Sequence, residues 1–391
     1  MTDQRFQHFE TKAVRHQMKR HEREHSSPLY MTSSFVFDNA EQARALFADE
    51  QNGNIYTRFS NPNNNEFVEK MCLLEGAEDG IATASGMSAV FTTLAGLLSA
   101  GDHVLASNSL FGSTHQILEK ILPKWGISYD YAPAQDPSQW VEKLKPHTKM
   151  ILAETPSNPG LQVLDLKWLA DLAKNHGCLL GIDNCFATPY LQKPIEFGAD
   201  LVIHSATKFI DGQGRGIGGI VLGSADFVKE LRFFARHSGP SLSPFNAWMF
   251  TKSLETLSVR MERHCESAYI LAQRLSEHPE VERVIYPFLE SHPQHDIAKN
   301  QMKLGGGVLS FIVKGGLERG RRFLDSLQFL SHTANLGDSR TIATHPASTT
   351  HSKRSDEERQ AVGIYPGLIR VSAGLEHVDD IYGDLEQAFE S

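Results

Sequence analysis

The strongest candidate for a reactive side chain is a lysine that directly follows an apolar run. Residues 201–208 read LVIHSATK, so the run ends in Ser205, Ala206, Thr207 and Lys208. A lysine just past a strand lies at the edge of an open α/β sheet where ligands bind. Two hydroxyl groups beside it suit an anion, and a partly desolvated lysine can become the neutral amine that forms a Schiff base. Taken alone, the pattern favours a solvated lysine on a loop, and the neighbouring sequence changes that interpretation.

An aspartate ends a second apolar run. Residues 179–183 read LLGID, and Asp183 lies 25 positions before Lys208. Burying a carboxylate is costly unless a partner compensates for the lost water. A protonated pyridine nitrogen is such a partner, and an acid beside it strengthens the ring as an electron sink. An aspartate here can also cap the following helix or bind magnesium, so its catalytic interpretation depends on Lys208.

Two further runs end in small or polar residues. IATASGM ends in Ser85, Gly86 and Met87, and a glycine at a helix start lets backbone N–H groups approach an anion. A simple tight turn explains that triplet equally well. The segment E-T-P-S-N-P also follows a run and offers Asn158 at the same edge. Because the carboxyl ends of parallel strands meet at one edge, we expect the four strand ends to form one site.

The elements that must position these residues are strands alternating with helices. Between residue 81 and about residue 223, short apolar runs alternate with longer helical patterns, which predicts βαβ units. Several runs are continuously apolar, as expected for strands covered on both faces. The predicted fold class is therefore α/β, with a mainly parallel seven-stranded sheet. Its strands are expected at 80–84, 103–107, 128–131, 150–154, 179–183, 201–204 and 219–222.

A smaller α+β domain is expected after the sheet. A long helical pattern at 254–278 leads away from it, followed by expected strands at 281–286, 307–313 and 368–372 and helices at 317–327 and 378–389. We therefore divide the chain into an amino-terminal arm, an α/β domain and a carboxyl-terminal α+β domain. These parts comprise residues 1–62, 63–256 and 257–391.

The composition excludes several classes of protein. Of the 391 residues, 40% are hydrophobic and 22% charged, so the chain can bury enough apolar surface to fold. The formal net charge of −9 gives no broad attraction to nucleic acid. Four scattered cysteines suit a reducing compartment, and the polar residues 1–27 contain no signal-peptide core. We expect a cytoplasmic protein without nucleic-acid or membrane partners and without a metal ion.

Together, five motifs resemble the Cys/Met-metabolism family of enzymes that use pyridoxal 5'-phosphate (PLP). They are Y-T-R at residues 56–58, S-G-M at 85–87, E-T-P-S-N-P, D-N at Asp183, and S-A-T-K ending in Lys208. The resemblance runs from about Pro28 to Glu376. It implies the aspartate-aminotransferase-like PLP-dependent transferase fold (fold type I), in which residues 63–256 bind PLP. It also implies a homotetramer of two dimers, with the amino-terminal arm contacting the neighbouring subunit.

The resemblance implies roles around the cofactor ring and the substrate. Lys208 would hold PLP as a Schiff base and later shuttle protons, while Asp183 would pair with the pyridine nitrogen. Asn158 would contact the ring hydroxyl group. Arg370, within I-R-V-S-A-G-L-E, would bind the substrate carboxylate as a planar two-pronged donor.

It also implies a phosphate site shared between two subunits. Tyr56 and Arg58 would reach the phosphate of the neighbouring subunit, which makes the dimer part of the active site. Within one subunit, the phosphate would be bound by the backbone of Gly86 and Met87, aided by Ser205 and Thr207.

Two positions depart from the family pattern. Many members carry tyrosine in Y-G-G-T over the cofactor ring, whereas this chain has Phe111 in F-G-S-T. Phenylalanine can stack but cannot relay a proton, so Lys208 must do more of that work or Tyr56 must help. At Asn335, within A-N-L-G-D, several lyases carry serine, and we expect Asn335 to keep a contact with the substrate carboxylate.

Within the family, longer motifs are most similar to the sulfhydrylase branch. These are F-G-S-T, D-N-C-F-A-T-P, H-S-A-T-K-F-I-D-G-Q-G-R and G-P-S-L-S-P-F-N-A-W. The branch replaces the succinate of O-succinylhomoserine by sulfide and thereby makes homocysteine. Cystathionine γ-synthases use cysteine instead, and γ-lyases finish with water. Because these activities share their early steps, the residues named above do not separate them.

Two alternatives come from other classes of protein. Gly214, Gly216 and Gly219 satisfy G-x-G-x-x-G, which occurs in dinucleotide-binding oxidoreductases, but here the motif precedes an expected strand. The histidines at 16, 21 and 25 could make the arm a metal-binding or anion-binding module. A stretch that also contains glutamates is more often a solvated helix or an arm packed on a neighbour.

Overall fold

A computed structural model describes residues 7–390 except 351, 353, 354 and 361. The larger of its two sheets contains β1 (Asp79–Thr83), β2 (His103–Ser107), β3 (Ser128–Ala132), β4 (Thr148–Glu154), β5 (Leu179–Asp183), β6 (Leu201–Ser205) and β7 (Gly219–Gly223). The smaller sheet contains β8 (Val281–Ile285), β9 (Val308–Val313), β10 (Ser331–His332), β11 (Ile342–Thr344) and β12 (Leu368–Ser372).

Helices surround both sheets. The first eight are α1 (Phe9–Arg15), α2 (Ala40–Phe47), α3 (Pro62–Glu75), α4 (Gly86–Leu97), α5 (Gly112–Gln116), α6 (Pro137–Lys143), α7 (Leu166–His176) and α8 (Thr188–Leu191). They are followed by α9 (Pro194–Phe197), α10 (Ala225–Ser238), α11 (Pro244–Leu254), α12 (Leu257–Ser276), α13 (His295–Gln301), α14 (Gly316–Asp325), α15 (Asp356–Gln360) and α16 (Val378–Ala388).

The larger sheet is mainly parallel, which confirms the predicted fold class. Its strand order is β1-β7-β6-β5-β4-β2-β3, and only the pairs that involve β7 are antiparallel. Every residue of β2 and β7 is buried, as predicted for strands covered by helices on both faces. The parallel order brings the carboxyl ends of β4, β5 and β6 side by side.

The helical segment between β2 and β3 is not one regular α-helix. The structure has α5, then a π-helical turn at Ile117–Ile121 and a 3₁₀ turn at Leu122–Trp125. Pro123 has no backbone N–H group and its ring crowds the preceding turn, so a regular α-helix cannot pass through it. Gly126, with φ at 74°, ends the segment.

The smaller sheet has the order β10-β11-β12-β9-β8. The sequence predicted β8, β9 and β12 but not β10 and β11, which are too short to show an alternating pattern. The long helix α12 links the two cores. Its first half contributes Leu257, Met261 and Cys265 to a core beneath the larger sheet, and its second half packs Leu271 and Leu275 with the smaller sheet.

None of the described helices is both long enough and apolar enough to span a membrane. The uncharged stretch at 81–100 forms the end of β1 and helix α4.

Candidate active site

Lys208 lies in the turn directly after β6. Its backbone N–H donates to the carbonyl oxygen of Ser205 at 3.3 Å, and Gly212 donates back to its carbonyl oxygen at 2.9 Å. The Lys208 Nζ donates to Asn335 Oδ1 at 2.7 Å. Burial lowers the pKa of Lys208, and the charge of Arg370 lowers it further, against the opposite effect of Cys185. The structure therefore holds a partly buried amine that loses its proton more readily than an exposed lysine.

The segment around Asn335 packs directly on the lysine turn. Gly337 has φ at 73°, and a Cβ atom there would lie 2.6 Å from the backbone nitrogen of Phe209 and 2.9 Å from the carbonyl carbon of Lys208. Only glycine fits so close an approach. The Gly337 N–H donates to Ser372 Oγ at 2.9 Å, which fixes the segment to β12. This close packing brings Asn335 within reach of Lys208.

Two carboxyl groups stand next to each other at the ends of β4 and β5. Glu154 and Asp183 are partners in the parallel register. Burial raises the pKa of Asp183 to about 6, although the N–H of Cys185, which donates to Asp183 Oδ1 at 3.0 Å, counteracts this effect. Burial, and then the charge of Asp183, raise the pKa of Glu154 well above its usual value. The strand ends therefore concentrate acidic groups that a cationic ligand would stabilise.

Arg370 connects the smaller sheet to this edge. It lies on β12 with 5% of its surface exposed, and burial lowers its pKa to about 10. Its Nη1 donates to Asn158 Oδ1 at 2.8 Å and its Nη2 to the carbonyl oxygen of Asn335 at 3.0 Å. The buried Nε has no hydrogen-bond partner among the described residues. The Nε–H group is thus among the guanidinium donors that are left for a ligand.

The start of α4 forms a narrow backbone cradle. Ser85 caps the helix by accepting a 3.0 Å hydrogen bond from the N–H of Ser88. A Cβ atom on Gly86 would lie 2.6 Å from Ser205 Cβ, so only glycine allows α4 to approach the end of β6. Met87 is the next residue of the helix, and the N–H groups of a first helical turn have no partner within the helix. These N–H groups suit an anion beside Ser205.

Thr207 is held at the other side of the lysine turn. Its hydroxyl group accepts from the N–H of Gly218 at 3.2 Å and lies 3.4 Å from the Gly218 carbonyl oxygen.

Phe111 is an exposed residue, with 43% of its surface accessible to solvent. It precedes α5, and its backbone N–H donates to Glu154 Oε2 at 2.7 Å.

The structure does not bring Tyr56 and Arg58 to the Lys208 cluster of the same chain. Tyr56 bridges to Ser34 and packs against Phe59, and 42% of its surface is exposed. Arg58 donates to the carbonyl oxygen of Arg236. Their assignment to the site of a neighbouring subunit stays a prediction.

The cluster fits PLP. Lys208 supplies an amine, Asp183 a carboxyl group for a protonated ring nitrogen, and the glycine-only approach at Gly86 a cradle for a phosphate group.

Sequence reasoning missed Glu154 as a member of the site. The signal was present, because Glu154 ends an apolar run in the same way as Asp183 does. Glu154 begins the E-T-P-S-N-P motif, in which the family resemblance implies a role only for Asn158. The 127-residue separation between Lys208 and Asn335 left no local pattern from which their contact could be predicted.

The glycine-rich segment and His16, which suggested a dinucleotide-binding oxidoreductase and a binding module, make structural contacts. The glycine-rich segment precedes β7 and does not join a strand to a helix. A Cβ atom on Gly216 would lie 2.2 Å from Met249 Cε, so this glycine allows tight packing against α11. In the arm, His16 lies 3.4 Å from Glu69. Within the described ranges, no group of three or more His, Cys, Asp or Glu side chains is arranged to hold a metal ion.

Comparisons with known proteins agree over nearly the whole chain. Residues 10–390 match the family model for Cys/Met metabolism PLP-dependent enzymes. An O-succinylhomoserine sulfhydrylase from Pseudomonas aeruginosa is 50% identical over 378 residues, covering 96% of this chain and 94% of the relative. An L-methionine gamma-lyase from Fusobacterium nucleatum is 43% identical over 366 residues, covering 93% of each chain.

A solved structure gives the same result. A putative O-acetylhomoserine (thiol)-lyase from Campylobacter jejuni is 34% identical and superposes with a TM-score of 0.94, covering 98% of this chain and all of the other. That crystal structure contains N'-pyridoxyl-lysine-5'-monophosphate. The predicted resemblance and the predicted cofactor are confirmed: this chain belongs to the Cys/Met metabolism family of PLP-dependent enzymes.

Proposed function

We propose that this chain replaces the succinate of O-succinylhomoserine by sulfide and so forms homocysteine for methionine biosynthesis. The observation that carries the proposal is the 50% identity to an O-succinylhomoserine sulfhydrylase, which covers 96% of this chain. The network that joins Lys208, Asn335, Arg370 and Asn158 supports it, because it combines an amine with a carboxylate-binding group.

Bound PLP would act as the electron sink that makes loss of the α-proton and of the γ-substituent possible. The chain's own contribution begins with Lys208, which we assign as the residue that holds the cofactor and moves protons through Nζ. Burial lowers the pKa of Lys208, which favours the neutral amine that acts as a base. Phe111 has no ionisable proton, which leaves this work to Lys208 with help from Tyr56.

We assign the remaining cofactor contacts by their chemistry. Asp183 would pair with the ring nitrogen, and a cation there would relieve the cost of burying the carboxylate. The Oδ1 of Asn158 already accepts a hydrogen bond from Arg370, so its amide NH₂ group can donate to the ring hydroxyl oxygen. Phe111 would stack on the ring. The phosphate group would be bound by Gly86, Met87, Ser205 and Thr207.

Arg370 would bind the substrate carboxylate. Its Nη atoms are held by Asn158 and Asn335, which fixes the plane of the guanidinium group before the substrate arrives. The buried Nε can then donate to a carboxylate oxygen. Asn335 would contribute a further contact to the substrate carboxylate when its side chain releases Lys208.

We further propose a homotetramer built from two dimers. In each dimer, Tyr56 and Arg58 of one subunit would reach the phosphate group bound by the other. Their exposure and their contacts with residues outside the Lys208 cluster of their own chain support this arrangement. The division into an arm at 1–62, a PLP-binding domain at 63–256 and an α+β domain at 257–391 is part of the same proposal. We also propose a cytoplasmic location, which suits the four free cysteines.

The test is product analysis of the PLP-loaded protein with either ester and either thiol. O-succinylhomoserine and O-acetylhomoserine are each combined with sulfide and with cysteine. We expect homocysteine from the succinyl ester and sulfide to form fastest. Predominant cystathionine from cysteine would instead identify a cystathionine γ-synthase, and preference for the acetyl ester would change the assigned substrate.

A γ-lyase is the second candidate, because methionine gamma-lyases are 41 to 43% identical to this chain. Replacement and elimination share their early steps and differ in whether a thiol adds.

A further inference from the structure

One buried carboxyl group links two separate segments of the site. Glu154, at the end of β4, has 5% of its surface exposed. Its Oε2 accepts the backbone N–H of Phe111 at 2.7 Å, and its Oε1 accepts the backbone N–H of Asn158 at 3.1 Å. Phe111 lies 43 residues before Glu154 in the chain and Asn158 four residues after it. A single side chain therefore ties the segment before α5 to the segment after β4.

We propose that Glu154 is a positioning residue, which fixes Phe111 and Asn158 against the PLP ring by binding the backbone N–H group of each. This inference rests on the cofactor contacts proposed above for Phe111 and Asn158.

Phe111 needs such an anchor. With 43% of its surface exposed, its side chain is only partly held by packing. The helix that follows has five residues, and the Phe111 side chain does not cap it. The hydrogen bond to Glu154 is thus the contact that ties the Phe111 backbone to the end of a sheet strand. A ring held from its backbone in this way can stay parallel to a ligand plane.

Asn158 has a comparable requirement. Its side chain is oriented by Arg370, which donates to Oδ1. Its neighbour Ser157 donates its backbone N–H to Gln162, so the turn is closed on itself. The bond from the Asn158 N–H to Glu154 connects this turn to β4. Arg370 and Glu154 together fix the amide group from two sides.

A carboxyl group suits this task better than its amide counterpart. Two N–H donors require two acceptors, and a glutamine side chain offers only one oxygen and two donors. Glu154→Gln would leave either Phe111 or Asn158 without its acceptor in a buried environment. The position also lies beside Asp183, which is its partner in the register of β4 and β5. Retaining an acid next to another acid opposes folding, which is consistent with a role in binding.

The test compares Glu154→Gln with a matched control, Asp384→Asn. Asp384 on α16 is also a buried carboxyl group, with 4% of its surface exposed. It accepts the backbone N–H groups of Gln328, Phe329 and Leu330 at 2.8 to 3.1 Å, and none of these residues is a proposed contact of PLP. Both variants are prepared as apoproteins. Three quantities are measured: the Kd for PLP, the visible circular dichroism normalised to the amount of bound PLP, and Tm.

We expect Glu154→Gln to raise the Kd for PLP by about tenfold or more, since one of the two segments proposed to contact the ring loses a buried hydrogen bond. The circular dichroism of the bound PLP should weaken, because the ring is held less rigidly. Asp384→Asn should lower Tm while leaving both PLP readouts within about twofold of the wild type. Glu154→Asp, which keeps the carboxyl group but shortens the side chain, should give an intermediate Kd and replaces Glu154→Gln if that variant does not fold.

Wild-type Kd and circular dichroism in the Glu154 variants would overturn the inference. Equal changes in Asp384→Asn would also overturn it, since the effect would then follow general stability. Neither readout uses an ester or a thiol. The two proposals can therefore fail separately. If the Glu154 variants show the expected PLP changes while the wild type makes no homocysteine, the proposed function is contradicted and this inference is supported.

Discussion

The Nη1 of Arg370 donates a 2.8 Å hydrogen bond to Asn158 Oδ1, and this bond joins the smaller sheet to the loop after β4. The same guanidinium group donates to the carbonyl oxygen of Asn335, whose side chain accepts from Lys208. The residues proposed to bind substrate and the residues proposed to bind cofactor therefore form one hydrogen-bonded network. A change in any member is expected to affect its neighbours.

Arg370→Lys should weaken substrate binding more than it slows turnover. The three donors of a lysine ammonium group radiate from one nitrogen atom, so they cannot reproduce the planar fork that reaches Asn158, Asn335 and a carboxylate at once. We expect KM for O-succinylhomoserine to rise about 10- to 100-fold, which corresponds to one charged hydrogen bond. Arg232→Lys, at an exposed ion pair with Asp79, is the control and should leave KM unchanged. An unchanged KM in Arg370→Lys would contradict the carboxylate role.

Lys208→Ala should abolish turnover and the visible absorption of lysine-bound PLP. Because Lys208 is in a turn and makes its side-chain hydrogen bond only to Asn335 in the described structure, we expect Tm to change little. Lys167→Ala, on the exposed face of α7, should keep both activity and absorption. Retained turnover with normal absorption in Lys208→Ala would rule out the assignment.

The apoprotein of Asp183→Asn should gain stability over the wild type as pH rises. Burial raises the folded-state pKa of Asp183 from 3.8 to about 6, so protonation of Asp183 stabilises the fold. This contribution is fully present below about pH 3.8 and is lost as pH rises through about 6. Asparagine stays neutral throughout. The free energy of unfolding of the variant minus that of the wild type should grow by about 1 kcal/mol between about pH 5 and about pH 8. The full change across the folded-state and unfolded-state pKa values is about 3 kcal/mol.

Chemical denaturation at the two pH values measures this difference. Asp226→Asn, at an exposed position in the first turn of α10, is the control for removing one charge. A difference that stays constant with pH would show that burial does not raise the pKa of Asp183.

Mixed dimers test the shared active site. Arg58→Ala and Lys208→Ala subunits should each be inactive alone, yet a mixed dimer contains one site with both wild-type residues. Random mixing should restore about a quarter of wild-type activity, since half of the dimers are mixed and each has one intact site. Activity no higher than that of either parent variant would place Arg58 outside the neighbouring site.

The positions of the long strands along the chain and the position of Lys208 at a strand end were predictable because buried parallel strands are continuous apolar runs that end at one edge. β10 and β11 were not, since two or three residues carry no periodicity. The contact between Lys208 and Asn335 depends on the left-handed backbone of Gly337, which lets two distant segments touch. Glu154 was missed for a different reason. It ends an apolar run as Asp183 does, but its role depends on hydrogen bonds to the backbone of Phe111 and Asn158, which the sequence does not reveal.

The most direct test of the central claim measures how turnover divides between replacement and elimination. PLP-loaded protein is given O-succinylhomoserine with and without sulfide, and homocysteine and 2-oxobutyrate are quantified in each reaction. We predict that homocysteine dominates when sulfide is present and that Lys208→Ala forms neither product. Predominant 2-oxobutyrate despite sulfide, or rapid breakdown of methionine in a parallel reaction, would contradict the sulfhydrylase assignment and identify a γ-lyase.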